Sequence, residues 1–267
     1  MNTTFIIPIR VESPDRERNL KACVRYLLKN TDGKIILKEA STRSVVPEIL
    51  QEEIHNPRIK YLFEENSGAF HRTKYLNDML TLVDTPIVSN YDVDVLLPAI
   101  SYKMAEHAIL RDGADVVYPY PESEDAQIRL TFSHEAETLF LAEPILESIH
   151  NCQIQYWRAH AGFCFMAKKE SYISAGAEFE GFISYGPEDV ERLERFHKMG
   201  LNVLRLNMKV IHMEHSRTPD SDLRNPYTEF NWRVYETLRS MEAIGIAEYL
   251  NSLNYVSSRG WKVESKN

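Results

Sequence analysis

In the first hundred residues short apolar runs alternate with longer stretches of helical periodicity, and this alternation restricts the fold more than any other feature. Phe5 to Ile9 is a short apolar run, Val11 to Asp15 reads as loop, and Arg16 to Lys29 places Leu20, Val24, Leu27 and Leu28 at helical spacing. Lys34 to Leu37 predicts a second strand, Val46 to His55 a helix and Ile59 to Phe63 a third strand. Ser67-Gly68-Ala69 reads as loop before a helix through Lys74, Leu76, Met79 and Leu82. Such alternation calls for a mostly parallel central sheet flanked by helices, an α/β protein. Ligands of these sheets collect at the carboxyl ends of the strands.

The next strand ends on chemistry. Ile87 to Tyr91 is apolar in character, Asp92-Val93-Asp94 follows, and Val95-Leu96-Leu97-Pro98 returns to apolar residues. In extended chain alternate side chains point the same way, so Asp92 and Asp94 are expected to project together from the strand end. Like charges this close repel unless a cation or hydrogen-bond donors intervene, and a divalent metal shared with phosphate oxygens is one solution. Alone, Asp-x-Asp is equally a solvated turn after a buried strand.

Beyond Pro98 a helix is expected from Ala99 to Leu110, a strand from Ala114 to Tyr120, and an acidic loop from Pro121 to Asp125. Ser133 to Ile149 reads as one amphipathic helix with Leu139, Phe140, Leu146 and Ile149 on one side. Gly162 to Met166 predicts a strand, Lys168 to Ala175 a short helix, Glu188 to Met199 a helix, Asn202 to Leu206 a strand and Val210 to His215 an extended piece. Arg217 to Asn225 is a polar loop bracketed by Pro219 and Pro226, and Tyr227 to Leu253 carries helical spacing through Phe230, Val234, Leu238 and Met241.

Composition narrows the function classes. The chain has 267 residues, 43% hydrophobic and 26% charged, which is ample for one α/β domain with its own core. A net charge of −8 excludes a broad basic footprint for nucleic acid. Cys23, Cys152 and Cys164 have no metal-type spacing and suit a reducing compartment. With a strand-like start in place of a signal peptide and no apolar run of membrane-spanning length, the expected location is cytoplasmic.

Two further segments carry candidate chemistry. His212-Met213-Glu214-His215 offers imidazole, which with a carboxylate suits a transition-type ion such as Mn²⁺ better than Mg²⁺. Two histidines three apart on a strand need not face one way, so His215 is the first choice and His212 the second. Tyr185-Gly186-Pro187-Glu188-Asp189 turns into a helix, and its acidic pair either complements the helix dipole or supplies a general base.

Read together, these pieces resemble a known family. Pro8-Ile9-Arg10, Phe70-His71-Arg72-Thr73-Lys74 with Asn77, Asp92-Val93-Asp94, Ala161-Gly162-Phe163 with Lys168, Gly186-Pro187-Glu188-Asp189 and His215-Ser216-Arg217 follow the order and wording of the β-1,4-galactosyltransferases, inverting sugar transferases of the GT-A fold. The match spans about residues 5 to 217 and is poor from about 121 to 158.

The resemblance implies a single GT-A domain. Residues 1–120 would form its nucleotide-sugar half, 155–217 its acceptor half and 218–267 a helical tail. It implies that Pro8, Arg10, Phe70, Arg72, Asp92 and Val93 line the nucleotide pocket, that Asp94 and His215 hold Mn²⁺ (or Mg²⁺), and that His212 joins them where the family has methionine. Asp189 matches the catalytic base, Glu188 a carboxylate contacting acceptor or donor, and Tyr185, Gly186 and Gly162 substrate-binding positions. Glycine becomes Pro187, glycine becomes Ala161, and tryptophan becomes Tyr185, departures that bear on sugar identity. The implied activity moves a hexose, galactose by resemblance, from a UDP-sugar to a saccharide acceptor in polysaccharide or glycan synthesis, in a bacterial, cytoplasmic form. A lipid-linked acceptor would bring peripheral membrane association. The polar Arg217 to Asn225 segment is expected to act as a lid, while Arg205, Arg217 and Arg224 are read as solvated charge. The competing readings are a non-catalytic sugar-nucleotide-binding subunit and a nucleotidyltransferase, the latter needing a glycine-rich loop that Arg10 to Arg18 lacks.

Overall fold

Every residue of the first strand, β1 (Thr3–Ile9), is buried, which places it inside a sheet covered on both faces. The computed structural model describes residues 2–149, 152–218, 220, 222 and 224–266. The chain continues through α1 (Pro14–Asn30), β2 (Lys34–Ser41), α2 (Val46–Leu50), β3 (Ile59–Glu65), α3 (Arg72–Leu80), β4 (Ile87–Tyr91), β5 (Val95–Leu96) and α4 (Ala99–Arg111). Next come β6 (Val116–Tyr118), β7 (Ser123–Thr131), α5 (His134–Ala142), β8 (Gln153–Ala159), β9 (Cys164–Lys168) and α6 (Lys169–Ser174). The last elements are α7 (Glu188–Lys198), β10 (Val203–Arg205), β11 (Val210–Met213), α8 (Thr228–Ser240), α9 (Ala243–Asn251) and α10 (Asn254–Ser258).

Seven strands form the main sheet in the order β10-β6-β9-β4-β1-β2-β3. Its pairings are parallel except for β9, which runs antiparallel to both β4 and β6. A smaller sheet, β5-β11-β7-β8, stands beside it. One continuous apolar core runs from Phe5 to Val263, so the helices at the end of the chain belong to the same domain. The three cysteines are free, and among the described residues no helix is long and apolar enough to cross a membrane.

Several elements differ from their sequence expectation. The helix expected over Val46 to His55 stops at Leu50, because Gln51 takes a left-handed φ of 49°, and resumes as one 3₁₀ turn. The helix expected from Ser133 to Ile149 ends at Ala142, before Pro144, whose ring excludes a continuing helix, and Leu139 faces solvent. The acidic loop expected over Pro121 to Asp125 is in part the start of β7, which pairs with β8. The tail from Tyr227 is three helices, broken at Met241 where ψ turns to 145°.

Candidate active site

The expected geometry of Asp92 and Asp94 is corrected here. They sit in a turn, closed by Val95 N–H donating to the Asp92 carbonyl at 3.1 Å, and their carboxylates part company. Asp92 Oδ1 accepts from Arg72 Nη2 at 2.7 Å. Asp94 faces the opposite group: His215 Nε2 at 2.9 Å and His212 Nε2 at 3.7 Å. Repulsion between the two carboxylates is thus met by separate cationic partners.

The pairing of β5 with β11 brings Asp94 to the histidines. His212 lies opposite Val95, and Met213 N–H donates to the Asp94 carbonyl at 2.8 Å. His212 is on the strand, while His215 lies past its end, so strand alternation does not separate them; their rings are 5.5 Å apart. The start of α1 clamps this end of β11. Asn19 Nδ2 donates to the Met213 carbonyl at 3.0 Å, Arg18 to the Glu214 carbonyl at 2.6 Å, and the Ser216 hydroxyl to Asp15 at 2.8 Å.

Asp94, His212 and His215 each offer a ligand atom, all within 4.8 Å of one another, and the first two are buried. One carboxylate with two imidazoles is a donor set that fits Mn²⁺. His212 Nδ1 faces Glu214 Oε1 at 3.4 Å, and Glu214 is gripped by both Arg129 Nε and Nη2. A carboxylate behind a ligating imidazole fixes the ring and leaves Nε2 for the ion. Burial opposes charge on Asp94, yet the neighbouring His212 and His215 hold its carboxyl well below the usual range. For His212 burial acts downward, but Asp94 and Glu214 raise it.

The cleft around these ligands gathers the expected nucleotide residues. Pro8, Arg10, Phe70, Arg72, Asp92 and Val93 line it together with Asp94, His212 and His215. Arg10 stacks over the Phe70 ring at 5.3 Å and donates to the Ala40 carbonyl at 2.7 Å. Asp220, which sequence reasoning missed, accepts from Arg10 at 2.9 Å, Phe70 N–H at 3.1 Å and the Ser184 hydroxyl at 2.7 Å. The expected lid, Arg217 to Asn225, therefore touches the nucleotide cleft through Asp220; its Pro219, Ser221 and Leu223 lie outside the described residues.

A second cleft adjoins the first, and His212 and Arg217 line both. Gly162, Tyr185, Gly186 and Asp189 line it, with Trp157 and Arg129 from the β8–β7 pair. Trp157 is half exposed and its ring carries Arg129 at 4.7 Å. It was missed because β8 is exposed on both faces and gives no apolar alternation to read. Phe163 was missed as well: at φ 72° it turns its carbonyl to the Asp92 N–H at 2.9 Å, tying the two clefts together.

Asp189 opens α7 and reaches the cleft, whereas Glu188 lines neither cleft and is buried. Burial raises both carboxyls, but Arg192 and Arg72 face Asp189 and bring it below its ordinary value. Glu188 Oε2 has no hydrogen-bond partner, and burial followed by the Asp189 charge pushes this side chain up to about 8. The pair thus divides into an ionised Asp189 and a protonated Glu188 at neutral pH. Among the other residues singled out, Lys74 pairs with Glu64, Lys168 with Glu170, and exposed Arg224 with Asp222. The guanidinium of Arg205 instead lies over the Tyr118 ring at 4.8 Å.

Comparison with solved structures identifies the architecture. The chain is similar to GalNAc-T7, solved with UDP, GalNAc and Mn²⁺, at a TM-score of 0.59 and 15% identity over 98% of this chain and 55% of that one. It thus spans about half the length of that protein. It is also similar to the mannosyltransferase PcManGT from Pyrobaculum calidifontis, solved with GDP-Man and Mn²⁺, at 0.53 and 15% over 97% and 73%. The fold is therefore of the GT-A type. The catalytic domain of Drosophila β1,4-galactosyltransferase 7 aligns at only 0.43 and 14% over 80% and 71%, so the fold does not single out that family. No protein-family model and no curated protein matches the chain.

Proposed function

We propose that this protein is a metal-dependent inverting glycosyltransferase that moves a hexose, galactose as first candidate, from a UDP-sugar to a saccharide hydroxyl. What carries the reading is one convergence. Three ligand-type side chains from distant segments close one cleft, and Asp189 stands in the next, with His212 lining both.

Asp94, His212 and His215 would hold Mn²⁺. When bound, the ion supplies positive charge against the negative charge that grows on a leaving diphosphate. Pro8, Arg10, Phe70 and the Asp92-Val93 turn bind the nucleoside, and Arg72 keeps Asp92 in place. Tyr185 and Gly186 border the acceptor, the tyrosine offering a flat face for a sugar ring. Asp189 takes the proton of the acceptor hydroxyl as its oxygen bonds to the anomeric carbon and the bond to the diphosphate breaks on the opposite side. A single displacement of this geometry inverts the anomeric centre. Glu188, buried and protonated, supports the start of α7 behind the base. In this reading residues 1–120 form the nucleotide half and 155–217 the acceptor half, with 218–267 as a tail. The protein works in the cytoplasm on polysaccharide or glycan synthesis, reaching the membrane only through a lipid-linked acceptor.

The experiment is a melting screen with UDP-galactose, UDP-N-acetylgalactosamine, UDP-glucose and UDP-N-acetylglucosamine, each with and without Mn²⁺. Ligand at a hundredfold excess over its Kd adds about 2.7 kcal/mol to the folded state. The expected result is a rise of several degrees that needs both nucleotide sugar and Mn²⁺, accompanied by slow release of UDP. No rise with any donor overturns the reading.

A further inference from the structure

The candidate base is held from behind by a buried network that no sequence motif announced. Asp189 Oδ1 accepts from Arg192 Nη2 at 2.7 Å and lies 3.6 Å from Arg72 Nη1. Arg192 is only 1% exposed, and its Nη1 donates to both oxygens of Glu178, at 3.0 and 3.1 Å. Glu178 is equally buried and also accepts from Asn90 Nδ2 at 2.9 Å and the Tyr172 hydroxyl at 2.5 Å. Asn90 in turn accepts from Arg72 Nη2 at 3.2 Å, which returns the chain of bonds to the residue between Asp92 and Asp189. Asn77 anchors the Glu178 backbone from both sides, at 2.8 and 3.0 Å.

Two ionised groups in a dry interior rarely add net stability compared with apolar residues of similar size, so such a network calls for another use. Its bonds point to one. Both guanidinium contacts of Asp189 fall on Oδ1, while Oδ2 lies against Gly162, where an added Cβ would stand 3.1 Å away. Gly162 and Asp189 line the same cleft.

We propose that Arg192, backed by Glu178, is a positioning residue that occupies Oδ1 of Asp189 and leaves Oδ2 as the oxygen that receives the acceptor proton. This rests on the reading of Asp189 as base. A guanidinium fork can reach two carboxylates at once with fixed geometry, which a lysine ammonium does not reproduce. Asp189 is faced by Arg192 and Glu188 from α7, Arg72 from α3, Asp92 from the turn after β4, His160 after β8, and Tyr118 and Tyr120 from β6 and its end. The network sets the balance among these charges at the base.

The test follows Mn²⁺-dependent release of UDP from UDP-galactose between pH 5 and 9. It compares wild type, Asp189→Asn, Arg192→Lys and the charge-neutral double variant Arg192→Met/Glu178→Gln. The double variant is expected to lose about 10–100-fold in kcat, with KM for UDP-galactose within about twofold. The acid limb of its kcat profile should move up by about one pH unit. Arg192→Lys should not restore either value. Wild-type kcat and acid limb in the folded double variant, or a raised KM with kcat intact, overturn the proposal. Should the double variant not fold, ¹³C-carboxyl NMR of the wild type, with Asp189 assigned from Asp189→Asn, decides. Titration below the ordinary aspartate range agrees, and titration at or above it overturns. If Asp189→Asn itself turns over normally, the base assignment has failed and the positioning role with it.

Discussion

His215 Nε2 meets the Asp94 carboxylate at 2.9 Å, although one follows the end of β11 and the other sits in the turn after β4. The contact depends on two backbone devices: the antiparallel pairing of β5 with β11, and the clamp from Asp15, Arg18 and Asn19 at the start of α1. Function and fold are joined at this point.

The imidazole of His212 is backed by Glu214, so removing that carboxylate should loosen the ion without removing a ligand. Glu214→Gln is expected to weaken Mn²⁺ binding about 10–100-fold, measured by the loss of free Mn²⁺ signal in electron paramagnetic resonance. Affinity equal to wild type would leave Glu214 as no more than a partner of Arg129.

Asp189→Asn should cost about 10²–10⁴ in transfer rate while leaving UDP binding nearly unchanged, since the side chain lines the acceptor cleft and not the nucleotide cleft. Stopped-assay product analysis alongside calorimetry with UDP separates the two effects. Normal turnover would remove Asp189 from the chemistry.

The two site glycines should behave differently. At Gly186 an added Cβ would come within 2.8 Å of Asn231 Nδ2, and Asn231 is a buried group that also bonds Ile183. Gly186→Ala is therefore expected to lower stability by about 1–3 kcal/mol in urea unfolding. Gly162→Ala meets only the Asp189 carboxylate, so its expected effect is on kcat, with the unfolding midpoint nearly unchanged.

Glu188 gives stability a pH dependence of unusual sign for an acid. Burial and then the charge of Asp189 raise it to about 8 when folded, so the folded protein keeps a proton that the unfolded chain releases near the ordinary glutamate range. Its contribution is full below that range and is lost as pH rises through about 8. Glu188→Gln is expected to flatten this loss, gaining on the order of a few kcal/mol over wild type at pH 9 in urea unfolding. Parallel pH curves for the two proteins would mean that Glu188 ionises freely.

Much of this was legible because it depends on local pattern. Leu20, Val24 and Leu27 announce α1 by spacing alone, and the buried Phe5 to Ile9 run announces β1. The metal triad was legible as residue types, but not as geometry. The turn at Val93-Asp94 and the position of His215 beyond its strand depend on pairing between remote segments. Trp157 and the hairpin around it escaped because exposed strands carry no period. Arg192 and Glu178 escaped for the opposite reason: in sequence they are ordinary charges, and only packing shows that both are buried. Apolar periodicity records burial of greasy faces, not burial of paired ions.

The most direct measurement is calorimetry of UDP with wild type and Asp94→Asn, each in Mn²⁺ and in EDTA. One ion held by Asp94, His212 and His215 beside the nucleotide predicts that wild type binds UDP at least about tenfold more tightly in Mn²⁺ than in EDTA. It also predicts that Asp94→Asn loses this difference. UDP binding of equal strength in EDTA, or a Mn²⁺ effect that survives Asp94→Asn, contradicts a shared site.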